Sequence, residues 1–101
     1  MLKHIVMWRF QGQAEGKSKQ EHMAWIKEHL LALQPVIPEL LSMEIGQDIG
    51  VGRDTYDMAL VTTFENAETL AFYQNHPAHK AVSAYVGKVR IARASVDYLT
   101  D

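Results

Sequence analysis

Residues 2–11 read LKHIVMWRFQ, and this segment does most to determine the architecture. It is rich in β-branched and aromatic residues and is bounded by Gly12, which is typical of a strand. Alternation places two sets of side chains on opposite faces: His4, Val6, Trp8 and Phe10 on one, and Ile5 and Met7 on the other. Because both faces are apolar at the centre, we expect this strand to be covered from both sides.

A helix is predicted after this strand. Ser18 and Glu21 have the spacing of a capping box, and apolar residues then recur at helical intervals until just before Pro35. Residues 35–41, PVIPELL, favour a turn or a short helical piece, because each proline disfavours the helical region for the residue before it.

The rest of the chain repeats this alternation of strands and helices. Strands are predicted over residues 42–49 and 57–64, with a glycine-bearing loop between them. Asn66 is a plausible N-cap for a helix through about residue 75, and Pro77 suits the first turn of another helix that Gly87 closes. A last strand covers residues 90–99.

The resulting order, βαββαβ, predicts a ferredoxin-like α+β fold in one domain over residues 1–101. Its helices pack on one face of a four-stranded antiparallel sheet. The other face carries an apolar centre of Ile5, Met7, Ala59 and Val61. We therefore expect a homodimer in which a second copy covers this face.

Composition excludes several classes of function. With 10 basic and 12 acidic residues among 101, the chain has no basic stripe for a phosphate backbone, so no nucleic-acid partner is expected. No cysteine is present, which excludes disulfides and thiolate sites. The first residues are too charged for a signal peptide or a membrane span, so the sequence predicts a cytoplasmic protein without a membrane partner.

The segment YQNHPAHKAV, residues 73–82, holds the most reactive side chains. His79 falls in the first turn of the helix opened by Pro77, where the helix dipole disfavours added positive charge and a neutral imidazole can act as a general base. His79 shares the buried stripe with Val82 and Val86, so it can meet His4 under the helices. A purely structural histidine pair is equally compatible with the pattern. A metal site is less favoured, because no carboxylate lies within HPAH.

Other polar aromatic residues have structural interpretations beside functional ones. Tyr73 could offer its hydroxyl to a ligand or be a core tyrosine, and His76, which precedes proline, favours a structural role. His22 and His29 are predicted to be solvated or half-buried.

The chain resembles the stress-responsive α/β-barrel domain family nearly from end to end. The resemblance is carried by these segments: KHIVMWRF, IPELLSMEIGQD, YDMALVTTF, YQNHPAHKAV and VDYL. It implies a homodimeric α/β barrel.

Plant polyketide cyclases are members of this family and work without a cofactor. Similarity to them implies an acid and base pair of His4 and His79, with Tyr73 near the pocket. The implied pocket wall comprises Val6, Trp8, Ile26, Leu30, Met43 and Leu60. Leu30 stands where the cyclases have a tyrosine, and Trp8 is bulkier than its aliphatic counterpart, which predicts a smaller or more apolar pocket.

Two main hypotheses follow. The first is a protein that binds a small apolar or aromatic molecule between helices and sheet. The alternative is a cofactor-free, polyketide-cyclase-like enzyme using His4 and His79; a cofactor-free monooxygenase is a third and less favoured interpretation. A cavity that reaches both histidines would favour a site, whereas a filled core would favour a structural pair.

Overall fold

The computed structural model describes residues 1–100 and shows a ferredoxin-like α+β fold. The elements in chain order are β1 (Leu2–Phe10), β2 (Gln13–Ala14), β3 (Lys17–Ser18), α1 (Lys19–Leu31), β4 (Ser42–Gln47), β5 (Met58–Phe64), α2 (Ala67–Asn75), α3 (Pro77–Val89) and β6 (Arg90–Leu99). The large sheet is antiparallel, with the strand order β4-β5-β1-β6. The predicted fold class is confirmed.

Strand β1 lies between β5 and β6, and its register decides which side chains meet. His4 pairs with Thr62 on β5 and with Asp97 on β6. Two residues further along β1, Val6 pairs with Leu60 and with Ser95. Because paired residues point to the same face of a sheet, the alternate residues of β6 share the face of the β1 core residues.

The core lies between this face and the helices. Val6, Trp8 and Phe10 of β1 are buried there, and so are Ile26 and Leu30 of α1. Helix α3 adds a buried stripe of Val82, Val86 and Val89. The apolar residues of β1, α1 and α3 therefore face the core between the sheet and the helices, as their spacing in the sequence predicted.

Side-chain caps begin all three helices. Ser18 and Glu21 form the expected capping box of α1, and Asn66 caps α2 with Thr69 as its partner. The Nδ1 atom of His76 accepts a hydrogen bond from the backbone N–H of Ala78, at 3.1 Å, and so caps α3. His76 thus has the structural role that its place before Pro77 favoured.

Three details differ from the sequence-based expectations. Helix α3 continues past Gly87 to Val89, and β4 ends at Gln47 instead of residue 49. The hairpin of β2 and β3 was not predicted, because two-residue strands show no alternation. Its turn is formed by Glu15 and Gly16, both with positive φ (50° and 76°), which suits a tight hairpin.

The sheet face opposite the helices is apolar at its centre. It carries Ile5 and Met7 of β1 with Ala59 and Val61 of β5, as the alternation predicted. On β6, Val96 and Tyr98 belong to the same face and are 55% and 43% exposed. Within residues 1–100, no helix has the length and apolar character needed to cross a membrane.

Candidate functional site

A cavity of about 120 Å³ lies between the helices and the sheet. Its apolar wall consists of Val6, Trp8, Leu30, Leu60, Val82 and Val86. Its polar wall consists of His4, Gln74, His79, Ser83, Arg90 and Arg93. The strands, the last turn of α1, the end of α2 and helix α3 thus contribute to one partly open cavity, and it reaches both histidines.

His4 is held in place by hydrogen bonds from both neighbouring strands. Its Nδ1 atom lies 2.5 Å from Oδ1 of Asp97, and the hydroxyl of Thr62 donates to its backbone carbonyl at 3.0 Å. An ionised carboxylate only accepts hydrogen bonds, so Nδ1 of His4 carries the proton of this contact. Nε2 therefore remains for a ligand, since no group within residues 1–100 hydrogen-bonds to it.

His79 lies in the first turn of α3, as predicted, and its side chain is half-buried. Its Nδ1 atom donates to the backbone carbonyl of Gln74 at 3.2 Å, because a carbonyl can only accept. This tautomer leaves a lone pair on Nε2. Burial lowers the pKa of His79, positive charge on His4, Arg93 and His76 lowers it further, and the hydrogen bond to Gln74 opposes both. The neutral form of the imidazole is therefore favoured, mainly by burial. From the sequence, the helix dipole was expected to be the cause.

Tyr73 lies beside this cavity in the packed core. Its ring packs against Phe64 and His79, with centroid separations of 5.1 Å and 4.4 Å. Its hydroxyl is buried and has no hydrogen-bond partner within residues 1–100. Burial raises the pKa of this phenol, so the hydroxyl keeps its proton and can act as a donor. Tyr73 is not itself part of the cavity wall.

The six residues proposed for the pocket wall divide into two groups. Val6, Trp8, Leu30 and Leu60 line the cavity together with His4 and His79. Ile26 is fully buried and Met43 is half-buried against the core, and neither is part of the wall. Ile26 belongs to the hydrophobic core, and Met43 packs against it.

Sequence reasoning missed Asp97, the partner of His4, and polar residues of the cavity wall such as Arg93. Asp97 lies within the segment VDYL, and its pairing with His4 identifies it once the register of β1 with β6 is known. Arg93 lies opposite Trp8 in the same pairing. The alternation of β6 was the available signal, but the register of β1 with β6 was needed to use it.

Besides His76, which caps α3, two histidines lie outside the cavity. His22 was predicted to be solvated or half-buried, and this was wrong, because it is buried with both ring nitrogens bonded. Its Nε2 donates to the backbone carbonyl of Ala14 at 2.6 Å, and its Nδ1 lies 2.5 Å from the hydroxyl of Tyr85. His22 thereby fastens the unpredicted β2–β3 hairpin to α1. His29 is half-buried and stacks on Trp25.

Potential metal ligands are dispersed among residues 1–100. Within residues 1–100, no three histidine, cysteine or carboxylate side chains lie together as a metal site would require. The two cavity histidines have Asp97 and the Gln74 carbonyl as their respective partners.

Solved structures share this fold across nearly their whole length. A dimeric protein of unknown function with a ferredoxin-like fold from Bacteroides fragilis is 30% identical, with a TM-score of 0.88 over 98% of this chain and 95% of that one. A dimeric ferredoxin-like protein of unknown function from Thermobifida fusca is 25% identical, with a TM-score of 0.84 over 98% of this chain and 90% of that one.

A hydroxynitrile lyase from Passiflora edulis has the same fold at 19% identity, with a TM-score of 0.84 over 99% of this chain and 93% of that one. No curated protein matches the sequence significantly. The family model that matches is described as the stress responsive A/B barrel domain, and it covers residues 2–100. The chain therefore belongs to the stress responsive A/B barrel domain family, as its sequence resemblance indicated.

Proposed function

We propose that the chain binds a small carbonyl compound in the cavity and, without a cofactor, removes a proton from the carbon next to its carbonyl group. His79 acts as the base and His4 as the group that hydrogen-bonds the carbonyl oxygen. The observation that carries this proposal is the cavity itself, because it reaches both histidines instead of being filled by side chains. A structural pair would need no such space.

The two histidines differ in the way that acid–base chemistry requires. His79 has a lowered pKa and a free lone pair on Nε2, which suits proton removal near neutral pH. His4 is oriented by Asp97, and in the proposed step it acts as an imidazolium: Nδ1–H donates to the carboxylate, which stabilises the positive charge, and Nε2–H donates to the carbonyl oxygen. In the proposed step, His79 takes a proton from the carbon next to the carbonyl, and the resulting enolate oxygen is stabilised by His4.

The volume of the cavity limits the substrate. An engineered protein cavity of about 150 Å³ holds one benzene molecule. The present cavity, at about 120 Å³, is smaller but opens to solvent beside Arg90 and Arg93, so it suits a short chain or a single ring whose substituent lies at the opening. This favours a small carbonyl compound over the long poly-β-ketone of a cyclase. A hydroxynitrile lyase has the same fold, which supports the proposal that this architecture can hold an enzyme site.

Exchange of hydrogen for deuterium on acetophenone tests the proposal. The wild-type protein in deuterium oxide should accelerate loss of the methyl proton signal at least about tenfold over buffer, and His79→Gln should remove the acceleration. His29→Gln is the matched control, because His29 stacks on Trp25 outside the cavity. Acetophenone that binds in the cavity without accelerated exchange would overturn the catalytic part and leave a binding protein. Absence of binding would overturn the proposal as a whole.

We also propose that the chain forms a homodimer through the apolar sheet face. The exposed side chains of Met7, Val96 and Tyr98 support this, since a monomer would leave them in water. The related proteins from Bacteroides fragilis and Thermobifida fusca are described as dimeric. The cytoplasmic location remains a prediction from the sequence.

A further inference from the structure

We propose that the small carbonyl compound bound in this cavity also carries a carboxylate group, which is bound by Arg93 with help from Arg90. This inference rests on the proposed function and adds the chemical class of the ligand to it. Both arginines are part of the cavity wall, whereas no aspartate or glutamate within residues 1–100 lines it.

The position of Arg93 follows from strand pairing. Arg93 lies opposite Trp8, and Trp8 forms part of the apolar wall. Arg93 therefore projects from the helix-facing side of β6, an edge strand, where it borders both the cavity and the solvent. Arg90 caps the C-terminal end of α3 and is also exposed. The two positive charges thus lie where a ligand would enter.

The guanidinium of Arg93 makes few hydrogen bonds to the protein. Its Nη1 atom donates to the hydroxyl of Ser95 at 3.3 Å, and no carboxylate within residues 1–100 lies within ion-pair distance of Arg93 or Arg90. Asp97, on the same face of β6, already holds the ring of His4. A guanidinium presents five N–H donors in a planar fork, which matches a carboxylate in two parallel hydrogen bonds.

The charge of Arg93 also acts on the interior of the site. It is one of the positive groups that lower the pKa of His79, so the guanidinium is close enough for its field to reach that ring. The chain as a whole has a net charge of -2, so the positive field at the cavity is a local feature. A carboxylate held by Arg93 would leave the apolar remainder of the ligand against Trp8 and Val86.

Benzoate and benzamide form a matched pair of probes, since they share size and shape and differ in charge. Calorimetric titration of the wild-type protein should show benzoate binding at least about tenfold more tightly than benzamide. Arg93→Gln should reduce benzoate affinity to about that of benzamide, and Arg90→Gln should cause a smaller loss. The preference should also weaken with added salt, because the arginines are partly solvated.

Arg53→Gln is the control, because it removes one positive charge from an exposed loop outside the cavity. It should leave the preference for benzoate unchanged. Equal affinity for the two probes would overturn the carboxylate inference while leaving the proposed site intact, and so would a preference that survives both cavity substitutions. Failure of both probes to bind would contradict the proposed function itself. Circular dichroism of each variant should match the wild type, since both arginines are exposed.

Discussion

His4 and Asp97 face each other across neighbouring strands, with Nδ1 of the imidazole 2.5 Å from Oδ1 of the carboxylate. The contact joins residues 93 positions apart in the chain and lies at the wall of the cavity. The imidazole is almost fully buried, whereas the carboxylate is 45% exposed. The pair therefore connects the interior of the site to solvent through a single hydrogen bond.

Asp97→Asn should change the tautomer of His4 more than the stability of the fold. An amide can donate as well as accept, so it no longer requires the proton on Nδ1. Nitrogen-15 spectra of the imidazole should show one protonated Nδ1 in the wild type and a mixture in the variant. The free energy of unfolding should fall by only about 1 kcal/mol, because the carboxylate is half solvated. An unchanged tautomer would show that Asp97 does not orient His4.

His79 should make the stability of the protein depend on pH. Its pKa is lowered in the folded state from the ordinary value of 6.5, so the unfolded chain binds the proton more readily. The contribution of a neutral His79 is thus present above pH 6.5 and is lost as the pH falls from there through the folded pKa. Urea unfolding at several pH values should show a steeper loss for the wild type than for His79→Gln. Identical slopes would mean that His79 is not held neutral by the fold.

His22 should matter for stability and not for ligand binding. His22→Ala leaves the Ala14 carbonyl and the Tyr85 hydroxyl without their partner and opens space in a buried position. We expect the free energy of unfolding to fall by about 2–3 kcal/mol, whereas His29→Ala should cost about 1 kcal/mol. Urea denaturation measures both. Equal costs for the two variants would contradict the assignment of His22 as the buried anchor of the hairpin.

A charge on the apolar sheet face should break the proposed dimer. Val96→Lys places an ammonium where the second copy would pack, and burial of an unpaired charge is strongly unfavourable. Sedimentation at micromolar concentration should show a dimer for the wild type and a monomer for this variant. Phe72→Lys is the control, because Phe72 is 53% exposed on α2, in the helix layer. A dimer that tolerates Val96→Lys would place the interface elsewhere.

The fold could be predicted because its signals are local. The alternation of β1, the capping box at Ser18 and the proline at residue 77 each specify an element without reference to distant residues. The β2–β3 hairpin and the burial of His22 could not be predicted in this way. Both depend on contacts between segments that are distant in the sequence. The residues next to His22 do not indicate that its ring will bond the carbonyl of Ala14 and the hydroxyl of Tyr85.

The candidate site could likewise be predicted only in part from local sequence. His4 and His79 could be proposed together because each lies on the buried face of its own element. Asp97 and Arg93 could not, because their place beside the cavity follows from the register between the first and last strands. Register is set by the pairing of whole strands, and a shift of one residue would turn both side chains to the opposite face.

Nuclear Overhauser effects between benzamide protons and the protein locate a bound probe and so test whether the cavity between the helices and the sheet is the binding site. If benzamide binds in the cavity, its ring protons should show contacts to the imidazole protons of His79 and to the methyl groups of Val86, both of which line the cavity. Contacts confined to the outer groove beside Trp25 and Tyr85, away from His4 and His79, would contradict it.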